Sequence, residues 1–400
     1  MNCDVVFEGG GAKGLALVGA WQAFQAAGHG HNRILGTSAG AIMAAFLAAG
    51  YSTQELLDVL TEKQNGQPVL ASFLGEPEFD DAEDVDQSVL AGILRGIDLP
   101  FVPDAVGASL NTRIVRAMLT KPRFRNVYSF VERGGWYSAQ AFVDWLQAKL
   151  DTGVYRDRPR RFSGMTFQEF YTVTGVDLSL VASDTTGGKL LVLNHRTAPG
   201  CPLVWAVRMS MSIPLLWQEV EWQAAWGPYE GRTLTNHAIV DGGLLSNFPL
   251  ELFVSSLPHV TALMGPKTDA PVVGFLIDEG RPLSDVMPVS RSAGLAAKLT
   301  ESRTFQRLMR LIDTATTAHD KLVMEAYAQL VVRLPAYGYG TTEFDMSDER
   351  RTTLITAGRL ATEQHLAKHP PGVTGRGALT PTSVVPPQMI DRIATDLLAP

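Results

Sequence analysis

Two apolar runs in the first fifty residues each break into a glycine-rich turn and continue as a helix of small residues, and this doublet constrains the fold more than any other feature. Val5, Val6 and Phe7 lead into Gly9-Gly10-Gly11-Ala12-Lys13-Gly14 and an alanine-rich stretch over 15–27. Ile34 and Leu35 lead into Gly36-Thr37-Ser38-Ala39-Gly40 and a second helix over 39–49, closed by Gly50 in the position of a helix C-cap. Consecutive strand-turn-helix units predict an α/β sheet. A chain of 400 residues with 46% hydrophobic composition can bury the core that such a sheet requires.

The later pattern extends the sheet. A helix is expected over 139–150. Strands are expected over 178–183 and 189–194, joined through Asp184-Thr-Thr-Gly-Gly, and again over 238–240 and 272–277. Helix material over 290–320, a strand over 330–334 and a helix over 347–369 follow. The organisation reads as a catalytic domain over 1–280, with 64–111 as a lid or insertion marked by Pro68, Pro77, Pro100, Pro103 and the acidic run 80–86. An extension over 281–369 packs on the same domain, and a Pro/Gly/Thr-rich tail covers 370–400.

Several functional classes are disfavoured at once. A formal net charge of −7 gives no basic field for nucleic acid. The two cysteines, Cys3 and Cys201, have no metal-ligand or disulfide spacing, the histidines have none either, and no acidic cluster follows the EF-hand pattern. Neither metal nor cofactor is expected. The start MNCDVVFEGGG lacks a basic and apolar leader, which suits a cytoplasmic protein. The longest apolar run, over 41–49, is well short of the roughly 20 residues of a membrane-spanning helix, so any membrane contact would be peripheral. Trp205, Trp217, Trp222 and Trp226 suit either a lipid-facing rim or core anchoring. The basic stretch 156–162 suits either a headgroup contact or a solvated turn. Oligomeric state is not set by the sequence.

Three motifs carry chemistry. Gly36-Thr37-Ser38-Ala39-Gly40 has the form GxSxG between strand and helix, where a sharp turn exposes a serine hydroxyl and small flanks prevent clashes. The following helix points its positive end at that serine. Gly9-Gly10-Gly11 offers successive backbone amides that can converge on an anionic oxygen, and Lys13 adds positive charge. Gly9, Gly11 and Gly14 also satisfy the dinucleotide GxGxxG, but the ribose-binding acid due at the end of the second strand is replaced by Ser38 and its glycines. Asp241-Gly242-Gly243 ends a strand, where a carboxylate would face the same sheet edge as Ser38.

In this order the three motifs resemble the patatin-like phospholipase family. The resemblance extends to Met209-Ser-Met-Ser-Ile-Pro214 and to the stretch Gly242-Gly-Leu-Leu-Ser-Asn-Phe-Pro249, and spans roughly residues 5–277. It implies a three-layer α/β/α sandwich around a mostly parallel central sheet. It further implies that Ser38 attacks a lipid carboxylic ester, Asp241 accepts its proton without a histidine, and the amides of Gly9, Gly10 and Gly11 hold the oxyanion. Lys13 would then sit near a phosphate headgroup. Glu8 stands where the family often has Asp, and Lys13 where Arg is frequent; both keep the charge. Two other readings stay open. An α/β-hydrolase triad would recruit His259, and a nucleotide-binding or scaffold protein would keep the glycines for packing alone.

Overall fold

The computed structural model describes residues 1–77, 88–90, 121–283, 307, 322–372 and 387–398. The helix expected over 290–320, apart from residue 307, and most of the 64–111 insertion lie outside them. The chain opens as expected, with β1 (Asn2–Phe7), α1 (Leu15–Ala26), β2 (Gly30–Thr37) and α2 (Ala39–Ala48). The hairpin β3 (Asp177–Asp184) and β4 (Lys189–Leu193) follows, then α3 (Leu203–Ser210), β5 (Val220–Glu221) and β6 (Ala238–Asp241). The later elements are β7 (Val272–Asp278), β8 (Val331–Pro335), α4 (Asp348–Lys368) and α5 (Pro387–Leu398).

These strands form one eight-stranded sheet in which hydrogen-bonded neighbours run β5-β6-β3-β2-β1-β7-β8, with β4 pairing β3. The β3/β2, β2/β1, β1/β7 and β7/β8 ladders are parallel, whereas β4, β5 and β6 add antiparallel pairings. Strands covered on both faces need apolar residues at successive positions, and the core shows why. Val5 and Phe7 join a cluster on one face with Ile34, Phe275 and Val332, while Val6 joins Leu35, Leu276 and Val331 on the other. α1, α2 and α4 contribute to the first face; α5, through Ile390, Ile393 and Ala394, contributes to the second. The result is the expected three-layer arrangement.

Helix α4 lies against α1 at a crossing without side chains. A Cβ on Gly19 would stand 1.8 Å from the Ile355 carbonyl oxygen, and one on Gly358 would stand 2.1 Å from that of Ala16. Each helix therefore contacts the other's backbone directly.

Register explains how two distant motifs meet. On one edge of β3, Val181 pairs with Thr37 and the next residue, Ala182, pairs with Asp241. Strand β4 occupies the opposite edge over 180–184. Strands β2 and β6 thus share an edge of β3 and run toward each other, so their C-terminal ends abut. Ser38 begins where one strand stops, and Asp241 is the last residue of the other.

Burial settles individual residues of the tryptophan set and of the basic stretch. Trp217, Trp222 and Trp226 are buried, and Trp226 packs against Trp205 and Trp222 at centroid distances of 5.7 and 5.6 Å. Trp222 and Trp226 thus anchor the core. In the basic stretch, Arg160 is buried, pairs with Glu55 at 2.7 Å and donates to the carbonyls of Ala49, Gly50 and Thr152. It ties a hairpin to the end of α2 and is not available to a headgroup.

Candidate active site

Ser38 occupies a sharp strand-to-helix turn at φ 52°, ψ −119°, a backbone conformation that non-glycine residues rarely adopt. The two glycines of the motif make that turn sterically feasible. A Cβ on Gly36 would lie 2.3 Å from the Gly40 carbonyl oxygen, and one on Gly40 would lie 2.2 Å from that of Phe7. Gly14 allows the same close approach on the helix side, where its Cβ would stand 2.6 Å from Ala39 Cβ. Ser210 fixes the turn: its Oγ accepts the Ser38 N–H at 3.0 Å and donates to the Val181 carbonyl at 2.6 Å.

Asp241 faces Ser38 from the abutting strand. Its carboxylate accepts the Gly243 N–H at 2.8 Å, and the Ser38 hydroxyl lies near enough to lower its pKa. Its own backbone N–H is held by the Ser212 carbonyl at 2.9 Å. Burial raises its pKa to about 7, against the smaller lowering effects of Ser38 and Gly243. Gly242 lets the strand end turn, since a Cβ there would lie 2.5 Å from the Val181 carbonyl oxygen. A Cβ on Gly243 would press on Asn247 Oδ1 at 2.8 Å and on Asp241 Oδ1 at 3.1 Å.

The glycine loop passes over Ser38. The Gly9 N–H donates to the Asn247 carbonyl at 3.2 Å, so one of the three amides expected to form an anion site is already engaged. Those of Gly10 and Gly11 have no acceptor among the described residues. Gly9 matters for its missing side chain: a Cβ would sit 2.2 Å from Asn247 Oδ1 and 3.0 Å from Ser38 Cβ. Asn247 emerges as the loop's keeper, its amide donating to Gly9 O at 3.0 Å and to Glu8 Oε1 at 3.1 Å. Glu8 in turn accepts the Ile277 N–H from β7. The Asn-Phe-Pro stretch was visible in the sequence, but nothing in it marked Asn247 as the contact to a loop more than two hundred residues earlier. Lys13 is buried and pairs with Glu279 at the mouth of the cleft.

Two chambers meet at Ser38. A wider cleft of about 490 Å³, of mixed polar and apolar lining, is bordered by Glu8, Lys13, Asp241, Asn247, Leu276 and Arg333 among others. A narrow apolar slot beside it is lined by Leu15, Ile42, Leu70, Phe73, Trp217 and Phe344 among others. Gly11, Ser38 and Ile213 line both. His259 lines neither; it borders a third cavity with Asp184 and His237. Among the described residues no group of His, Cys, Asp and Glu has the geometry to hold a metal ion, and no helix is long and apolar enough to cross a membrane.

A serine at a strained strand-to-helix turn, a buried carboxylate beside it and a glycine loop above define a Ser-Asp α/β protein of the three-layer type. A family model described as patatin-like phospholipase matches residues 5–254, and the chain belongs to that family. It is 28% identical over 376 residues to the uncharacterized protein YqhO of Bacillus subtilis (strain 168), covering 92% of this chain and 98% of that protein. Among solved structures, VipD from Legionella pneumophila is similar at TM-score 0.47 and 17% identity, over 92% of this chain and 67% of that one. The type III effector ExoU is similar at TM-score 0.38 and 19% identity, over 92% and 53% of the two chains. At these scores the structural likeness is partial, and membership rests on the sequence match.

Proposed function

We propose that this protein is a serine acyl hydrolase that cleaves carboxylic esters of phospholipids or related lipids through a Ser38-Asp241 dyad. The observation that carries the reading is the abutment of β2 and β6, which brings Ser38 and the buried Asp241 carboxylate to one cleft, where burial raises the carboxylate's pKa to about 7. A base with that pKa accepts the serine proton effectively at neutral pH. Family membership supports the lipid ester as substrate.

In the proposed cycle the ester carbonyl lies at the junction of the two chambers, its acyl chain in the apolar slot and its polar part in the cleft. Ser38 Oγ attacks the carbonyl carbon while Asp241 takes the hydroxyl proton. The unengaged amides of Gly10 and Gly11, with the N-terminus of α2, stabilise the negative oxygen. The tetrahedral intermediate expels the alcohol, which leaves with the proton from Asp241, and an acyl-enzyme forms on Ser38. Water, deprotonated by Asp241, then attacks the acyl carbon; the Ser38 Oγ–acyl bond breaks, Oγ takes the proton back from Asp241, and the fatty acid leaves. No histidine takes part. Access to lipid is by peripheral contact with a bilayer, in a cytoplasmic setting.

A fluorophosphonate that reacts with activated serines tests the reading. Labelling mapped to Ser38 by mass spectrometry, and abolished in Ser38→Ala, is the expected result. An intact, folded chain that takes up no label would contradict it. Labelling retained in His259→Ala is also expected, whereas its loss in a folded variant would favour a histidine triad.

A further inference from the structure

Residues 336–346 lie beyond the stretch that the family model matches, yet they reach the centre of the site. The chain leaves β8 with the Ala336 N–H donating to the Asp278 carbonyl at 3.0 Å, beside the end of β7. Five residues on, the Thr341 carbonyl accepts the Ala12 N–H at 2.8 Å. The same oxygen stands 2.2 Å from where a Cβ on Gly11 would be, and Gly11 has a φ of +53° that favours glycine. A main-chain carbonyl from the C-terminal part therefore pins the glycine loop in the conformation that leaves the Gly10 and Gly11 amides unengaged at the cleft.

The same segment walls the apolar slot. Phe344 packs on Trp217 at a centroid distance of 5.5 Å, and both line the slot. Trp217 is itself fixed by its indole N–H, which donates to the Phe73 carbonyl at 2.9 Å.

What holds the segment is Arg350, on the first turn of α4. Its Nε lies 2.8 Å from Glu343, with both side chains 4% exposed. Its Nη2 donates to the Gly338 carbonyl at 2.9 Å, and its guanidinium lies 4.1 Å above the Tyr339 ring. The Tyr339 hydroxyl closes the clamp by donating to the Arg350 carbonyl at 3.2 Å. A buried pair of this kind contributes little net stability but can specify one arrangement of the chain.

We propose that residues 336–346, clamped by Arg350, complete the site: Thr341 positions the oxyanion loop through its carbonyl, and Phe344 sets which acyl chains the slot admits. The inference rests on the hydrolase reading. Arg350 is a positioning residue; it touches no reacting atom.

The test uses the full chain, 4-nitrophenyl esters from butanoyl to hexadecanoyl, and the rate of fluorophosphonate labelling. Replacing both partners, Glu343→Gln with Arg350→Met, avoids an unpaired buried charge. In the folded double variant kcat and the labelling rate are expected to fall about tenfold or more, with KM within about twofold, as for a lost oxyanion contact. Arg350→Lys, which keeps the charge but not the planar fork, is expected to fall between the two. Phe344→Ala, which leaves the clamp in place, is expected to shift relative kcat/KM toward the longer chains by about tenfold, the low end of what one methylene in an apolar pocket is worth. Wild-type rates in the folded double variant would overturn the positioning role, and an unchanged chain-length profile in Phe344→Ala would overturn the wall. A wild-type chain that neither labels nor hydrolyses would remove the hydrolase reading and this inference with it; a wild type that does both, beside unaffected variants, would remove this inference alone.

Discussion

Asp241 has its pKa raised to about 7 because burial penalises its charged form. Below that pH the carboxyl keeps its proton and cannot accept one from Ser38, so kcat/KM should fall about tenfold per pH unit on the acid side and level off above neutrality. The same shift has a thermodynamic consequence of opposite sign. A folded-state pKa above the unfolded one means that the native state binds more protons between the two, so stability falls as pH rises through that window. Asp241→Asn should therefore raise the thermal midpoint at pH 8 and change it little at pH 4, while abolishing turnover. A midpoint lowered by the substitution at pH 8 would contradict the burial penalty assigned to the Asp241 charge. At Gly40 the constraint is steric: Ala there places Cβ 2.2 Å from the Phe7 carbonyl, a backbone atom that cannot swing aside, and should cost about 3 kcal/mol, measured by denaturant unfolding.

At the scale of elements, the two opening units and the strands of the hairpin were legible because each is local: an apolar run, a glycine turn, a helix of small residues. The edge-sharing of β2 and β6 was not, since no local pattern records which strand a residue pairs with; only the register Val181–Thr37 and Ala182–Asp241 does. Ser38 and Asp241 were recognisable from their motifs. Asn247 and Ser210 lay within stretches noticed for their resemblance, but their roles depend on what faces them. Thr341 left no mark at all, because it contributes a carbonyl that every residue has. The tryptophans stayed open for a related reason: an amphipathic ring suits an interface or a core equally well, and for Trp222 and Trp226 the packing decides for the core. Helix packing supplies a test at this scale. Gly358→Leu would drive a side chain into the Ala16 carbonyl and force α1 and α4 apart; unfolding at lower denaturant, by about 3 kcal/mol or more, is expected.

Over the whole molecule the proposed site and a buried ion-pair cluster stand at opposite ends of the sheet. Ser38, Asp241 and the glycine loop lie where parallel strands finish, the usual place for a site in an α/β sheet. At the other end, buried Asp4 accepts the Arg33 Nε at 2.9 Å, the Arg33 N–H at 3.1 Å, the Asn32 amide at 2.8 Å and the Thr268 hydroxyl at 3.0 Å. Asp4→Ala leaves the Arg33 charge buried without its carboxylate, and about 3–5 kcal/mol of stability should be lost. Turnover per folded molecule should be unchanged, which distinguishes this pair from the site. The C-terminal elements belong to the same body: β8 extends the sheet beside β7, and α4 covers α1. A chain ended at residue 283 would bare that face of α1 and should be recovered only as aggregate, by size-exclusion chromatography.

The central claim is that Ser38 and Asp241 act together on a lipid ester, and release of fatty acid from mixed phospholipid vesicles tests it most directly. Wild type, Ser38→Ala and Asp241→Asn would be compared, each checked for folding by circular dichroism. The account predicts release by the wild type and its loss in both folded variants. Release sustained by either folded variant would contradict the dyad.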